Sequence, residues 1–225
     1  MLKTGMKRHL AAFTALTLLS LFPFISCEKA DPDNSGSGDQ ENTENTQQPV
    51  ENTAPGKILI VYYSYTGHCD EIVTALSSNL EKADKLRIRE VDDDADYNAN
   101  SYKLGSDLIN AIRKAPGQAS SYPAIKSVEK KTGDYETIIV VTPLWHSQMA
   151  AIMQTYLFQN GAAMKGKNIS LVVSSASSGI SGVESDAKRL IPDGKFYGPS
   201  LWINNSNRSN RQSLVKEWLE KNKIK

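Results

Sequence analysis

From Lys57 onward, apolar residues come in short bursts separated by polar, turn-forming stretches. Residues 57–63, KILIVYY, make a nearly continuous β-branched run, the pattern of a strand buried on both faces of a sheet. Ile72, Leu76 and Leu80 then recur at helical spacing. Residues 86–91, LRIREV, alternate and predict a second strand at or near an edge. After a polar, acidic stretch from Asp92 to Asn100, Ser101 is placed to cap a helix. That helix turns Leu104, Leu108, Ile109 and Ile112 inward and stops before Pro116. Residues 137–142, TIIVVT, predict another doubly buried strand, and a helix covers about 149–160. Residues 168–173 predict a fourth strand and 183–190 a helix closed by Pro192-Asp193-Gly194. Residues 196–203 predict a fifth strand, and 208–222 a last amphipathic helix carrying Leu214, Trp218 and Leu219.

Strand and helix thus alternate five times. Such a chain builds a parallel sheet with right-handed crossovers and helices on both faces: a three-layer, doubly wound α/β domain of five strands. Ligands of such sheets bind outside the carboxyl ends of the strands, where the strand order reverses. In the order 2-1-3-4-5 the reversal lies between strands one and three. Polar loops at 64–69, 143–149 and 174–182 follow strands one, three and four and converge there.

The first loop, Ser64-Tyr65-Thr66-Gly67-His68-Cys69, holds no lysine or arginine. It offers hydroxyls, a glycine and a run of backbone N–H groups entering a helix. Free amides at a helix N-terminus attract an anion without a basic side chain. A tight turn capped by Ser64 and Thr66 reads equally well from the loop alone. The Walker A lysine is missing and so is GxGxxG.

KILIVYYSYTGHCDEIV resembles the first strand and phosphate loop of the flavodoxin family, whose pattern is [ST]-x-T-G-x-T. Ser64, Thr66 and Gly67 match, and Cys69 stands in place of the last Thr. PLWHSQM resembles a PxWWG loop at Pro143 and Trp145, with His146 for Trp and Ser147 for Gly. The stretch from Ser174 to Gly182 resembles the third flavin-contacting loop. The resemblance covers residues 57–225 and implies a flavodoxin-like fold holding flavin mononucleotide (FMN). By that implication Ser64, Thr66, Gly67, His68 and Cys69, with the amide of Tyr65, hold the phosphate. Trp145 lies against the isoalloxazine or its edge with His146 beside it. Backbone groups of Ser147 reach the N5 region, and Ser175, Ser177 and Gly179 line the pyrimidine side. Replacing a phosphate-binding hydroxyl by the Cys69 thiol costs about 1 kcal/mol.

The resemblance further implies electron transfer or a small FMN-dependent reductase, linked to NAD(P)H or a quinone. The partner is a redox protein or a quinone-type small molecule, and the chain is a monomer. A second reading is a flavodoxin-fold binding module that has lost FMN and recognises another ligand or partner. Cys69 at a helix N-terminus predicts a lowered thiol pKa and, beside His68 and His146, a conceivable nucleophile. The Cys-x5-Arg of a phosphatase is absent, since position 75 is Ala.

The N-terminus reads as an address. Lys3, Lys7 and Arg8 precede the apolar segment 10–25 and then Phe24-Ile25-Ser26-Cys27. This resembles a bacterial lipobox, with Phe24 where Leu is usual, and implies a signal peptide over 1–26 and acylation of Cys27. An uncleaved anchor helix or a plain signal peptide are the rivals. Residues 27–56 hold almost no large apolar side chain and predict a disordered tether. The membrane is then reached by the lipid alone, on the periplasmic or surface side of the cell envelope. Setting aside the bases Lys3, Lys7, Arg8 and Lys29 and the seven acids between Glu28 and Glu51 leaves 22 basic against 18 acidic residues. That excess of four is too small for a nucleic-acid footprint.

Overall fold

The computed structural model describes residues 56–225. The signal segment, Cys27 and the tether up to residue 55 lie outside the described residues. Strand β1 (Ile58–Tyr62) is central, pairing in parallel with β2 (Asp84–Arg87) on one side and β3 (Thr137–Trp145) on the other. Beyond β3 lies β5 (Asn168–Ser174), and beyond it β6 (Lys195–Phe196) and β7 (Leu201–Ile203) share one edge. The parallel order is β2-β1-β3-β5 and then β6 with β7. This is the expected doubly wound sheet with its fifth strand split. Gly198, with φ +65°, and Pro199 interrupt the ladder between the two halves.

Alternation along each strand decides which face meets which helix. Leu59, Val61, Ile138 and Val140 pack with α2 (Ala99–Lys114), α3 (Ala151–Asn160) and α4 (Ser181–Leu190). Ile58, Ile60, Ile139 and Val141 pack with α1 (His68–Asn79) and α5 (Arg211–Lys221). Each fully buried aliphatic side chain contributes about 1.5–3 kcal/mol of transfer free energy. The doubly apolar strands of the sequence are therefore what a two-faced sheet requires.

Two further elements, β2 and α2, differ from expectation. The second strand begins two residues earlier and leaves β1 after Ile88, whose N–H donates to Tyr62 O at 2.7 Å. Glu90 then bridges antiparallel to Ile125, and Val91 is exposed. In α2, Ser101 caps nothing. Asn100, Ser101 and Tyr102 have φ of 49°, 56° and 64°, so regular turns begin at Lys103. The inward stripe is Gly105, Ile109 and Ile112, which leaves Leu104 exposed.

Candidate functional site

A crevice of about 460 Å³ opens at the carboxyl ends of β1, β3 and β5. That volume suits a small-molecule or cofactor site. Its floor is the turn from β1 into α1. Gly67 is the N-cap residue, with φ 87° and ψ −15°, a conformation glycine adopts without a Cβ clash. The Ser64 hydroxyl accepts from the Asp70 N–H at 3.2 Å. Glu71 N–H donates to Gly67 O at 3.1 Å, closing the first helical turn. The amides of Tyr65, Thr66, Gly67, His68 and Cys69 find no acceptor among the described residues. Five unpaired donors at a positive helix end make this turn chemically able to cradle an anion.

The cradle is braced from outside the loop. Arg87 on β2 donates to Ser64 O at 3.1 Å and pairs with Asp70 at 2.8 Å. Arg211 on α5 pairs with Glu71 at 3.4 Å. Arg208, just ahead of α5, places Nη1 against Nε2 of His68. A loop without basic residues in sequence thus stands among three arginines in space, which no local pattern could reveal.

Cys69 corrects one expectation. Its side chain is 1% exposed and packs in the α1–α5 core, so it borders the crevice as a buried group and not as an accessible nucleophile. Burial, with the Asp70 charge, pushes the thiol pKa up instead of down. Burial and a raised pKa both argue against a Cys–His reaction and leave the Cys69 amide as its donor at this turn.

The second wall is the end of β3. Trp145 pairs with Gln148, and Leu144 with Met149, so β4 (Gln148–Met149) folds straight back on β3. The two linking residues, His146 and Ser147, have φ of 47° and 64°. Both central residues at positive φ mark a type I′ hairpin turn, a conformation that Asn and Gly adopt at lower cost than His or Ser. The sequence shows a polar loop here, because it lacks the Asn-Gly signal. The Met149 end is clamped by buried polar groups. Its N–H donates to Asp186 at 3.0 Å and its carbonyl accepts from Gln154 at 2.7 Å. Arg189 ties the clamp together, reaching Asp186 at 2.8 Å and Gln154 at 2.7 Å. From α4, Gly182 lies so close to the turn that a Cβ there would stand 1.9 Å from Ser147 O.

An aromatic cluster lines the crevice beside Trp145. The Tyr97 ring lies 4.6 Å from it at 40°, and Tyr63 meets it edge-on at 5.7 Å. Tyr65 spans two loops: its hydroxyl accepts from Tyr97 N–H at 3.1 Å and donates to Asp96 at 3.2 Å. Tyr97 and Asn98 come from a stretch whose polarity predicts only a solvated loop, and Tyr102 from the first turn of the expected helix, so none of the three is marked in the sequence as a site residue. A lone tyrosine amid acids was the available signal.

Ser64, Tyr65, Thr66, His68 and Cys69 line the crevice, as do Pro143, Trp145, His146 and Ser175. Gly67 shapes the turn beneath them. Ser147, Ser177 and Gly179 are exposed and stand outside the lining, where Ser174, Ala176 and Asn205 are found instead. Ser175 is held by Trp202, whose Nε1 donates to its hydroxyl at 2.8 Å.

The architecture is shared with known proteins. A flavoprotein structure from Bacteroides eggerthii DSM 20697 aligns with a TM-score of 0.59 and 24% identity, covering 76% of this chain and 99% of its own. One from Bacteroides uniformis ATCC 8492 aligns at 0.56 and 20% identity, covering 72% and 99%. A flavoprotein in complex with FMN from Lactobacillus acidophilus NCFM aligns at 0.56 and 18% identity, covering 72% and 98%. These likenesses concern the fold. A family model described as flavodoxin matches residues 57–222, and the chain therefore belongs to the flavodoxin family.

Proposed function

We propose that the crevice holds FMN, with its phosphate on the amides of Tyr65 to Cys69 and its ring system against the Trp145 wall. The observation that carries this reading is the row of five unpaired N–H donors under an aromatic-lined crevice of flavin scale. The fit is chemical as well as spatial. A phosphate dianion satisfies donors that otherwise need water. Ser64 still has its O–H to give, since the Asp70 amide uses only a lone pair. Bound flavin supplies one- and two-electron redox chemistry. The chain's part is to orient it, shield one face with apolar rings and fix polar groups at its edge. The function is then electron transfer or a small flavin-dependent reduction, with a redox protein or quinone-type molecule as partner. Turnover of NADH with a quinone separates reductase from carrier.

The N-terminal lipobox supports placing this domain at the bacterial envelope, tethered through Cys27. Mass spectrometry of detergent-extracted protein should find an acylated Cys27 as the N-terminal residue. An unmodified Cys27 still preceded by intact Phe24–Ser26 contradicts the tether.

The experiment for the cofactor is the absorbance spectrum of purified protein before and after adding FMN and desalting. Flavin bands that stay with the protein and bleach on dithionite support the reading. A colourless protein that retains no added FMN overturns it. The second reading, a binding module without FMN, draws on Tyr97, whose ring already covers part of Trp145. A thermal shift with another anion and none with FMN favours it.

A further inference from the structure

Three arginines surround the start of α1, and two are neutralised. Arg87 pairs with Asp70 at 2.8 Å and Arg211 with Glu71 at 3.4 Å. Arg208, half-buried, has no carboxylate in salt-bridge range among the described residues, and its Nη1 faces Nε2 of His68. A guanidinium has only donors, so Nε2 must be the acceptor. In the neutral ring the proton is then on Nδ1. His68 itself lines the crevice at the first position of α1, among the orphan amides.

We infer that Arg208 is a positioning residue that fixes His68 as its Nδ1–H tautomer, so that the ring adds a polarised donor to the amide cradle and selects a phosphorylated flavin over riboflavin. The inference rests on the FMN reading above. The charged groups gathered at the start of α1 are Asp70 and Glu71 on the helix itself, Arg87 from β2, Arg211 from α5 and Arg208 from the preceding turn, of which Arg208 contacts His68. The first four cancel in pairs, and Arg208 leaves one uncompensated cation behind the imidazole. A donor backed by a cation hydrogen-bonds an anion more strongly than an isolated one. Neutral riboflavin has no phosphate to use it.

The test titrates FMN and riboflavin into the full-length protein by flavin fluorescence, for wild type, R208Q, R208K, H68N and the double variant H68N/R208Q. Nitrogen-15 spectra of the His68 ring accompany the titrations. Wild type should show a protonated Nδ1 and a bare Nε2. R208Q should weaken FMN about tenfold, the loss of one good charged hydrogen bond, and leave riboflavin within about twofold. R208K, which keeps the positive charge as well as a donor where Gln keeps only a neutral donor, should recover most of the loss. H68N carries an amide NH₂ near the Nδ1 position, so adding R208Q to it should change nothing further. Equal weakening of both flavins in R208Q overturns the inference, as does a wild-type His68 protonated on Nε2. Wild type that binds FMN while R208Q binds it equally well overturns this inference alone. Wild type that binds neither flavin overturns the cofactor reading and this inference with it.

Discussion

Ser64 serves several partners with one residue. Its carbonyl anchors Arg87, its hydroxyl receives the Asp70 amide, and its O–H remains for a phosphate oxygen. Removing the hydroxyl in Ser64→Ala leaves the Asp70 N–H in the first turn of α1 without its acceptor and should lower unfolding stability by about 1 kcal/mol, read by urea denaturation. An unchanged midpoint would mean the 3.2 Å contact is idle in solution. Cys69 shows how far a position in sequence can mislead. A helix N-terminus suggests a reactive thiol, but whether the side chain points at solvent or core is decided by α5 packing across it. Cys69 should therefore resist alkylation in the folded protein and react only on unfolding, by mass spectrometry of the labelled peptide. The arginine partners of the loop were equally illegible, since they join α1 from β2 and from the turn before α5, at sequence separations of 17 for Arg87–Asp70 and 140 for Arg208–His68.

At the level of elements, the β3–β4 hairpin is where local preference and fold conflict. Ser147 holds φ 64°, for which a non-glycine residue is strained by roughly 1 kcal/mol or more. Ser147→Gly should stabilise the protein by about 0.5 kcal/mol, the relieved strain exceeding the added freedom of the unfolded chain. Gly182→Ala should do the reverse. Its Cβ meets a backbone carbonyl that cannot rotate away, so a loss of about 1–3 kcal/mol and a disturbed hairpin are expected in denaturation and in Ser147 amide shifts. The long strands and the α1 and α3–α5 helices were legible because their periodicity matched their burial. The hairpin was not, because a two-residue turn of His and Ser lacks the usual glycine. The fifth strand was located but its break was not. Gly198-Pro199 was visible in the sequence, yet nothing local showed that pairing with β5 resumes at Leu201.

The whole molecule carries several buried acids of high pKa. Burial and the Glu90 charge push Tyr97 up to about 12, and burial with a hydrogen bond to Asp84 pushes Tyr135 up to about 12. Tyr63, Tyr156 and Cys69 are raised as well, burial being the largest cause for each. The unfolded chain releases these protons from about pH 8.5 for Cys and about pH 10 for Tyr, before the folded chain does. There the unfolded state binds fewer protons, so stability is full at neutral pH and falls as pH rises above about 9. Denaturation midpoints at neutral and strongly alkaline pH should show the drop; equal midpoints would mean these groups are solvated. FMN acts on the same equilibrium from the other side. At about a hundred times its Kd it should add about 2.7 kcal/mol and raise Tm by roughly 5–10 °C.

The cradle at the start of α1 is best tested by the amide resonances of Tyr65 to Cys69 during an FMN titration. These five N–H signals should move furthest, shift downfield as they take up hydrogen bonds to phosphate, and exchange more slowly with solvent at saturation. Flavin binding that leaves them unmoved, or that shifts chiefly signals elsewhere on the sheet, would contradict it.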